Sequence, residues 1–402
     1  MIVVVIFAKT IGFFCCKIGQ PSVIGEILAG IIIGPSVLGK ILPDFLKFLF
    51  PQNSYNNIQV LSQIGLILFM FILGMELDIN VIKMNPVGTL LISNIGIIFP
   101  FLLGVGLAFI IYTKCASSNT TFIAFALFMG ISMSITAFPV LASILREKKL
   151  INTTIGTLTI AYASIDDVLA WCILALAVAI SSNSSVISAL TTILFSIIFI
   201  LVMIFLVRPI IRQLESIIKN NISIFTLKII ILFMSAFLSE AIGIHALFGG
   251  FLAGVVMPKN EISRKVIVAK IEDFCTVILM PLFFASTGLR AQFGLLNQPY
   301  LWGICFLIII LAVTGKFIGI ALAVRLTGQT WKNALSIGVL MNTRGLMELV
   351  VINIGYELNI FTAEMFSIML IMALFTTIIT GPWLNLIDHI YLKKTLNTHS
   401  VD

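Results

Sequence analysis

Two carboxylates, Asp166 and Asp167, stand side by side near the middle of the apolar run 154–180. A lone ammonium, Lys316, lies near the centre of the run 301–324, and Arg344 and Glu348 lie four residues apart in the run 331–355. A charge at the centre of a bilayer costs at least about 2.5–3.5 kcal/mol on insertion scales. Groups retained at such a cost suit the reversible binding of protons and small cations. Neighbours on an α-helix point about 100° apart, so the two carboxylates face different surroundings. One can line a water-filled cavity while the other meets a partner on an adjacent helix. Lys316 is too deep to reach either interface with its stem, and Asp166 or Asp167 is its natural counter-ion. A purely structural bridge is the plain reading for Lys316, but two carboxylates exceed what one bridge needs. The spacing of Arg344 and Glu348 fits an intrahelical pair, either structural or part of an ion route. Glu26, Glu76 and Glu240 lie nearer segment ends and read as interface or cavity-rim residues.

The elements that position these groups are membrane helices. Of 402 residues, 60% are hydrophobic and 10% charged, and the mean hydropathy is +1.16. Soluble domains carry roughly 25% charged residues. The apolar runs are 2–16, 21–38, 58–77, 87–112, 121–145, 154–180, 186–207, 223–239, 244–257, 265–289, 301–324, 331–355 and 364–388. About 20 residues cross the hydrocarbon layer, so the chain reads as an all-α integral membrane protein of about thirteen transmembrane helices. Residues 1–392 form a single transmembrane domain, and 393–402 a short cytoplasmic tail. The first run lacks the basic n-region and small-residue cleavage site of a signal peptide. It is also short for a span, which leaves room for chain upstream of Met1.

Loop charges set the orientation. Counting from the loop after the first helix, the odd loops and the C-terminal tail hold seventeen of the 24 Lys and Arg residues. The even loops hold four, Lys9, Lys316 and Arg344 lie deep inside the runs, and Lys228, Lys265, Lys270 and Lys332, near run ends, are counted with their adjoining odd loops. The positive-inside rule then places the N-terminus outside and the C-terminus in the cytoplasm, in a cell (inner) membrane. The net charge of +7 follows from the same rule. No clustered basic face exists for a nucleic acid. The six cysteines lack metal-ligand spacing and read as small packing residues. No cofactor is expected, and the three histidines are too scattered for a metal site.

Two of the runs are interrupted. The fifth contains Ser132, Ser134 and Thr136 just before Pro139, which removes a backbone donor and disfavours the preceding turn. The twelfth contains Asn342, Thr343 and Gly345. Irregular backbone at membrane depth is tolerated where it lines a cavity or is buried in protein, and paired interruptions in two halves point to a transporter site. Helices five and twelve are seven apart and so cross the membrane in opposite directions. An inverted-topology repeat with two crossed broken helices is therefore expected.

Seven stretches resemble, in order and with matching spacing, the monovalent cation:proton antiporter superfamily with the sodium/hydrogen exchanger fold, double-aspartate type. They are GQPSVIGEILAGIIIGPSVLG (19–39), IGLILFMFILGMELD (64–78), SITAFPVLASIL (134–145), IDDVLAW (165–171), GIHALFGGFLAGVVMP (243–258), MPLFFASTGLR (280–290) and MNTRGLMELVVINIG (341–355). The resemblance implies a dimerisation panel and a mobile core, assembled as a homodimer. It implies that Asp167 binds the ion, with Na⁺ or K⁺ as the metal there, and that Asp166 pairs with Lys316. The broken helices around Thr136–Pro139 and Asn342–Gly345 would line the cavity. Glutathione-gated potassium efflux systems of the same superfamily usually lack the double aspartate, which this chain has.

The expected function is secondary antiport of a monovalent cation, Na⁺ before K⁺, against H⁺ by alternating access. The partners are then the lipid bilayer, the cation and the proton. A K⁺/H⁺ efflux antiporter is the nearest alternative. A sodium-coupled organic solute carrier would not need adjacent aspartates beside a buried lysine. A channel would need a selectivity filter or charge rings. No nucleophile constellation, metal-ligand motif or phosphate loop supports an enzyme.

Overall fold

In a computed structural model the chain is described at every residue except 77–85, 119, 152, 182–185, 219, 259–260 and 399–402. Lys83, Lys219 and Lys259 of the loop count, and residues 77–78 of the second motif, lie outside the described residues. Helix is the only regular structure among the described residues, apart from one isolated bridge between Ala116 and Phe361. Lipid offers backbone groups no partners, so each segment must satisfy its own.

Each of the thirteen runs gives helix among the described residues. They are α1 (Ile2–Lys17), α2 (Ser22–Ile33), α3 (Gln52–Glu76), α4 (Pro86–Cys115), the split helix α5a (Phe122–Ser134) and α5b (Phe138–Glu147), and α6 (Thr154–Ser181). Next, α7 joins Val186–Val202 to Arg208–Ile217 through a π-helical turn, Met203–Val207. Then follow α8 (Asn221–Ile242), α9 (Ala246–Val256) and α10, which joins Glu261–Phe274 to Met280–Arg290 through a second π-turn, Cys275–Leu279. The last are α11 (Pro299–Leu326), the split helix α12a (Trp331–Met341) and α12b (Leu346–Glu357), and α13 (Ala363–Thr398). Among the described residues, nine helices are long and apolar enough to cross a membrane. The other four runs give α1, the split α5, the eleven-residue α9, and α10. The helix of α13 continues through residues 393–398.

The chain divides into two compact units. One comprises Met1–Val5, Lys47–Asp78 and Trp171–Ser286, and the other Ile6–Leu46, Ile79–Ala170 and Thr287–Asp402. In the first, α3 and α9 pack backbone to backbone. A Cβ on Gly254 would lie 2.2 Å from the Phe71 carbonyl, and one on Gly74 equally close to that of Phe251. Small residues permit such approach where dispersion and close packing hold helices together.

The second unit contains every membrane-depth charge singled out above. Its α4 packs on α5a and α11, and α11 on α12a and α13. The hydroxyl of Thr121 caps the start of α5a and that of Thr330 the start of α12a, each accepting a backbone N–H. The loop before α5a is tied to the loop after α12b: the Thr120 hydroxyl donates to the Asn359 carbonyl at 2.8 Å. The start of one broken helix thus lies beside the end of the other, so α5 and α12 run antiparallel.

Candidate functional site

Both interruptions leave the backbone non-helical at the expected positions. Ile135, Thr136 and Ala137 separate α5a from α5b, and Asn342–Gly345 separate α12a from α12b. Pro139 falls within the first two positions of α5b, where its missing N–H has no intrahelical partner to lose. It therefore opens the second half-helix rather than sitting in the gap; its side chain lies outside the described residues. The two gaps touch. The Ala137 N–H donates to the Thr343 carbonyl at 3.0 Å, and the Thr136 hydroxyl donates to the Met341 carbonyl at 2.9 Å. Gly345 is held where no side chain fits: a Cβ there would lie 2.6 Å from Val140 Cγ2.

The crossing supplies four half-helix ends at membrane depth, and each meets a group of complementary charge or polarity. At the C-terminal end of α5a, Arg344 donates to the carbonyls of Ser132 and Met133, and the Lys316 ammonium donates to that of Ser134. Cations are favoured at helix C-termini. At the N-terminal end of α5b, the Asp167 carboxylate feels the dipole of the Phe138 N–H. The C-terminal carbonyl of α12a at Met341 takes the Thr136 hydroxyl. Glu348 occupies the first turn of α12b.

Lys316 Nζ sits 2.6 Å from Asp166 Oδ2, both side chains 1% exposed. The Thr136 hydroxyl also donates to Asp166 Oδ2, at 2.7 Å. Asp166 is thus committed to a lysine, a threonine and the crossing itself. A close approach of α4 completes this wall, since a Cβ on Gly96 would lie 3.9 Å from Asp166 Oδ1. Asp167 is also buried but forms no ion pair among the described residues, and Oδ1 of each aspartate accepts no hydrogen bond there. Both side-chain polar atoms of Asn342 are in the same condition. Ser134 turns its hydroxyl back onto its own helix, to the Ile131 carbonyl, and Thr343 donates to the Leu340 carbonyl at the end of α12a.

Arg344 and Glu348 were expected to pair within one helix. The two groups are 3.2 Å apart and fully buried, but Arg344 lies in the non-helical gap and only Glu348 is on α12b. The gap releases Arg344 from the helical face, and its guanidinium reaches across to α5a instead. Glu26, expected at an interface or rim, is buried at 3% exposure and paired with Lys9 at 3.3 Å.

Several partners carried no sequence signal. The Phe138 N–H and the carbonyls of Ser132, Met133, Ser134 and Met341 are backbone groups, which every residue type possesses. Thr377 on α13 brackets Arg344, accepting its N–H at 3.1 Å and donating to its carbonyl at 2.7 Å. The adjacent threonines 376 and 377 in an apolar run were a visible hint of that contact.

Comparison with known proteins agrees with this architecture. The family model described as sodium/hydrogen exchanger, transmembrane, matches residues 2–387. The Na(+)/H(+) antiporter NhaS4 of Synechocystis is 42% identical over 389 residues, covering 95% of this chain and 94% of that protein. The K(+)/H(+) antiporter 1 of Saccharomyces cerevisiae is 33% identical over 399 residues, covering 95% of this chain and 46% of its own length. The structure of the sodium proton antiporter MjNhaP1 from Methanocaldococcus jannaschii superposes with a TM-score of 0.71 at 17% identity, covering 96% of this chain and 95% of that one; this likeness speaks for the fold. With the crossed broken helices and the matched length together, the chain belongs to the sodium/hydrogen exchanger family of transmembrane proteins.

Proposed function

We propose that this protein is a secondary antiporter that exchanges a monovalent cation for H⁺ by alternating access, with Asp167 as the group for which the two compete. The observation that carries the assignment of Asp167 is the unequal commitment of the two aspartates. Asp166 is neutralised by Lys316 and held by Thr136 through Oδ2, while Asp167 is buried without an ion pair among the described residues. A buried carboxylate left without a counter-charge is strongly unfavourable. It is relieved by whatever neutralises it, a proton or a small cation shedding its water.

The surroundings support such exchange. Carboxylate, amide and carbonyl oxygens suit a hard, weakly held cation. Asp167 and the Asn342 amide supply that chemistry from two elements of one unit. The N-terminal end of α5b contributes a partial positive charge, about 0.3–1 kcal/mol for a favourable neighbour and up to ~2 when partly buried. This limits the affinity the carboxylate needs from its occupant and keeps binding reversible. Alternation presents the same site first to one side of the membrane, then to the other.

Na⁺ is the proposed ion and K⁺ the alternative, since relatives named for each share the chain's full span. We further place the protein in the cell (inner) membrane as a homodimer, N-terminus outside and C-terminus in the cytoplasm, on the lysine and arginine bias of the loops and the family resemblance. Residues 1–392 act as its transmembrane domain.

Everted membrane vesicles test the proposal. A respiration-driven pH gradient is established and its collapse followed on adding Na⁺, Li⁺ or K⁺. Collapse is expected with wild type and not with Asp167→Asn at equal protein level, and the ion ranking names the substrate. Undiminished exchange by Asp167→Asn would remove Asp167 from this role.

A further inference from the structure

The charge inventory of the crossing contains one carboxylate that the reading above does not use. Glu348 is completely buried, and neither of its oxygens accepts a hydrogen bond among the described residues. The nearest cation is Arg344, with Nη1 3.2 Å from Oε1. Its fork is aimed elsewhere, at the carbonyls of Ser132 and Met133. A carboxylate whose sole role was to balance Arg344 would be expected to receive that fork in a bidentate arrangement. Two opposed influences therefore meet at Glu348. Complete burial with the Arg344 fork turned to other acceptors favours the neutral acid, while the guanidinium beside it and the N-terminal end of α12b favour the anion. A group balanced in this way can hold a proton and also release it.

We propose that Glu348 is a second proton-binding group of the carrier, occupied by H⁺ in the cation-free state and emptied when a cation settles beside Asp167. This rests on the antiport reading above. Charge conservation motivates it. Asp166, Asp167 and Glu348 face Lys316 and Arg344, so the fully ionised cluster carries one excess negative charge. In the cation-free state one proton, shared between Asp167 and Glu348, cancels that excess. In the loaded state the cation does, and the carboxyl O–H bond breaks with its proton passing to water on the open side. One positive charge enters and one leaves.

The groups facing Glu348 are few. Arg344 precedes it on the same segment, and Lys316 acts on it from α11. The packed helix α5a has no ionisable side chain. Its other packed neighbour, α13, carries Glu364 beside Cys115 and presents the hydroxyl of Thr377 to Arg344. Farther along α12b, Glu357 is paired with Arg290 of α10 at 2.9 Å. Among the described residues, Arg344 and Lys316 are thus the charges that bear directly on its proton.

Infrared difference spectroscopy of the purified full chain in lipid tests this without requiring transport. Acid-minus-alkaline spectra are recorded free of Na⁺ and K⁺, then with each added. Wild type is expected to show the C=O band of a buried carboxylic acid, and the transported cation should abolish it. The band should be displaced in Glu348→Asp, and lost in Glu348→Gln and in Asp167→Asn, since either of the last two removes the excess negative charge. The aspartate variant keeps the test informative should the glutamine variant fail to fold. A band that persists in Glu348→Gln, stays unmoved in Glu348→Asp or ignores the cation overturns the inference, as does the absence of any such band. Antiport in vesicles combined with any of those results removes the role of Glu348 alone. A Glu348 band in a protein without antiport removes the transport reading instead.

Discussion

The backbone N–H of Ala137 and the carbonyl of Thr343 are joined at 3.0 Å. This bond ties the gap in one broken helix to the gap in the other. The two gaps therefore satisfy each other in a place where neither water nor lipid serves every polar group. The charges around them neutralise the half-helix ends that the gaps create.

The crossing should be intolerant of volume at Gly345. Gly345→Ala sets a methyl 2.6 Å from Val140 Cγ2 and 3.3 Å from Ala137 Cβ. Overpacking of this kind costs about 1–3 kcal/mol. Thermal unfolding in detergent should show a lowered midpoint, and Val140→Ala in the same chain should restore part of it. An unchanged midpoint for the single variant would mean the gaps are looser than described.

Lys316 and Asp166 should behave as a unit. Removing one partner of a buried pair costs about 3–5 kcal/mol, whereas replacing both with apolar residues is often neutral or stabilising. Lys316→Met is expected to lower the unfolding midpoint sharply, and Lys316→Met with Asp166→Leu to recover it. A double variant no better than the single would show that the pair contributes through Ser134 and Thr136 rather than through charge.

Asn342 should separate stability from transport. Its amide is buried and has no hydrogen-bond partner among the described residues, so Asn342→Leu removes a polar group that gains no hydrogen bond from them. The unfolding midpoint is expected to stay level or rise, while the apparent KM for the cation increases through loss of an oxygen from the cavity. A fall in stability with unchanged KM would reverse this assignment.

Proton competition fixes the sign of the pH dependence. Lowering the pH fills the carboxylates with protons, so the apparent KM for the cation should rise while the maximal rate at saturating cation holds. In the acid limb the rise approaches about tenfold per pH unit for one proton displaced per cation. Initial rates in vesicles over a range of pH and cation concentration provide the check. A KM independent of pH would mean that proton and cation do not compete.

Membrane residence, the helix order and the membrane-depth groups were legible from the residues alone. Long apolar runs have one stable solution in lipid, and charges inside them stand out against that background. Asn342, Thr343, Gly345 and the serines before Pro139 marked both gaps because small and polar residues interrupt an otherwise apolar pattern. Helical geometry also required Asp166 and Asp167 to face different surroundings. It left open which of them met Lys316, because the rotation of one helix against its neighbour is decided by packing around the whole circumference. The tertiary structure places Asp166 there, moves Arg344 out of helical register and across to α5a, and assigns backbone carbonyls and the Phe138 N–H as charge partners. Those choices depend on which atoms of distant segments come within about 3 Å of one another, and backbone groups leave no trace in residue type.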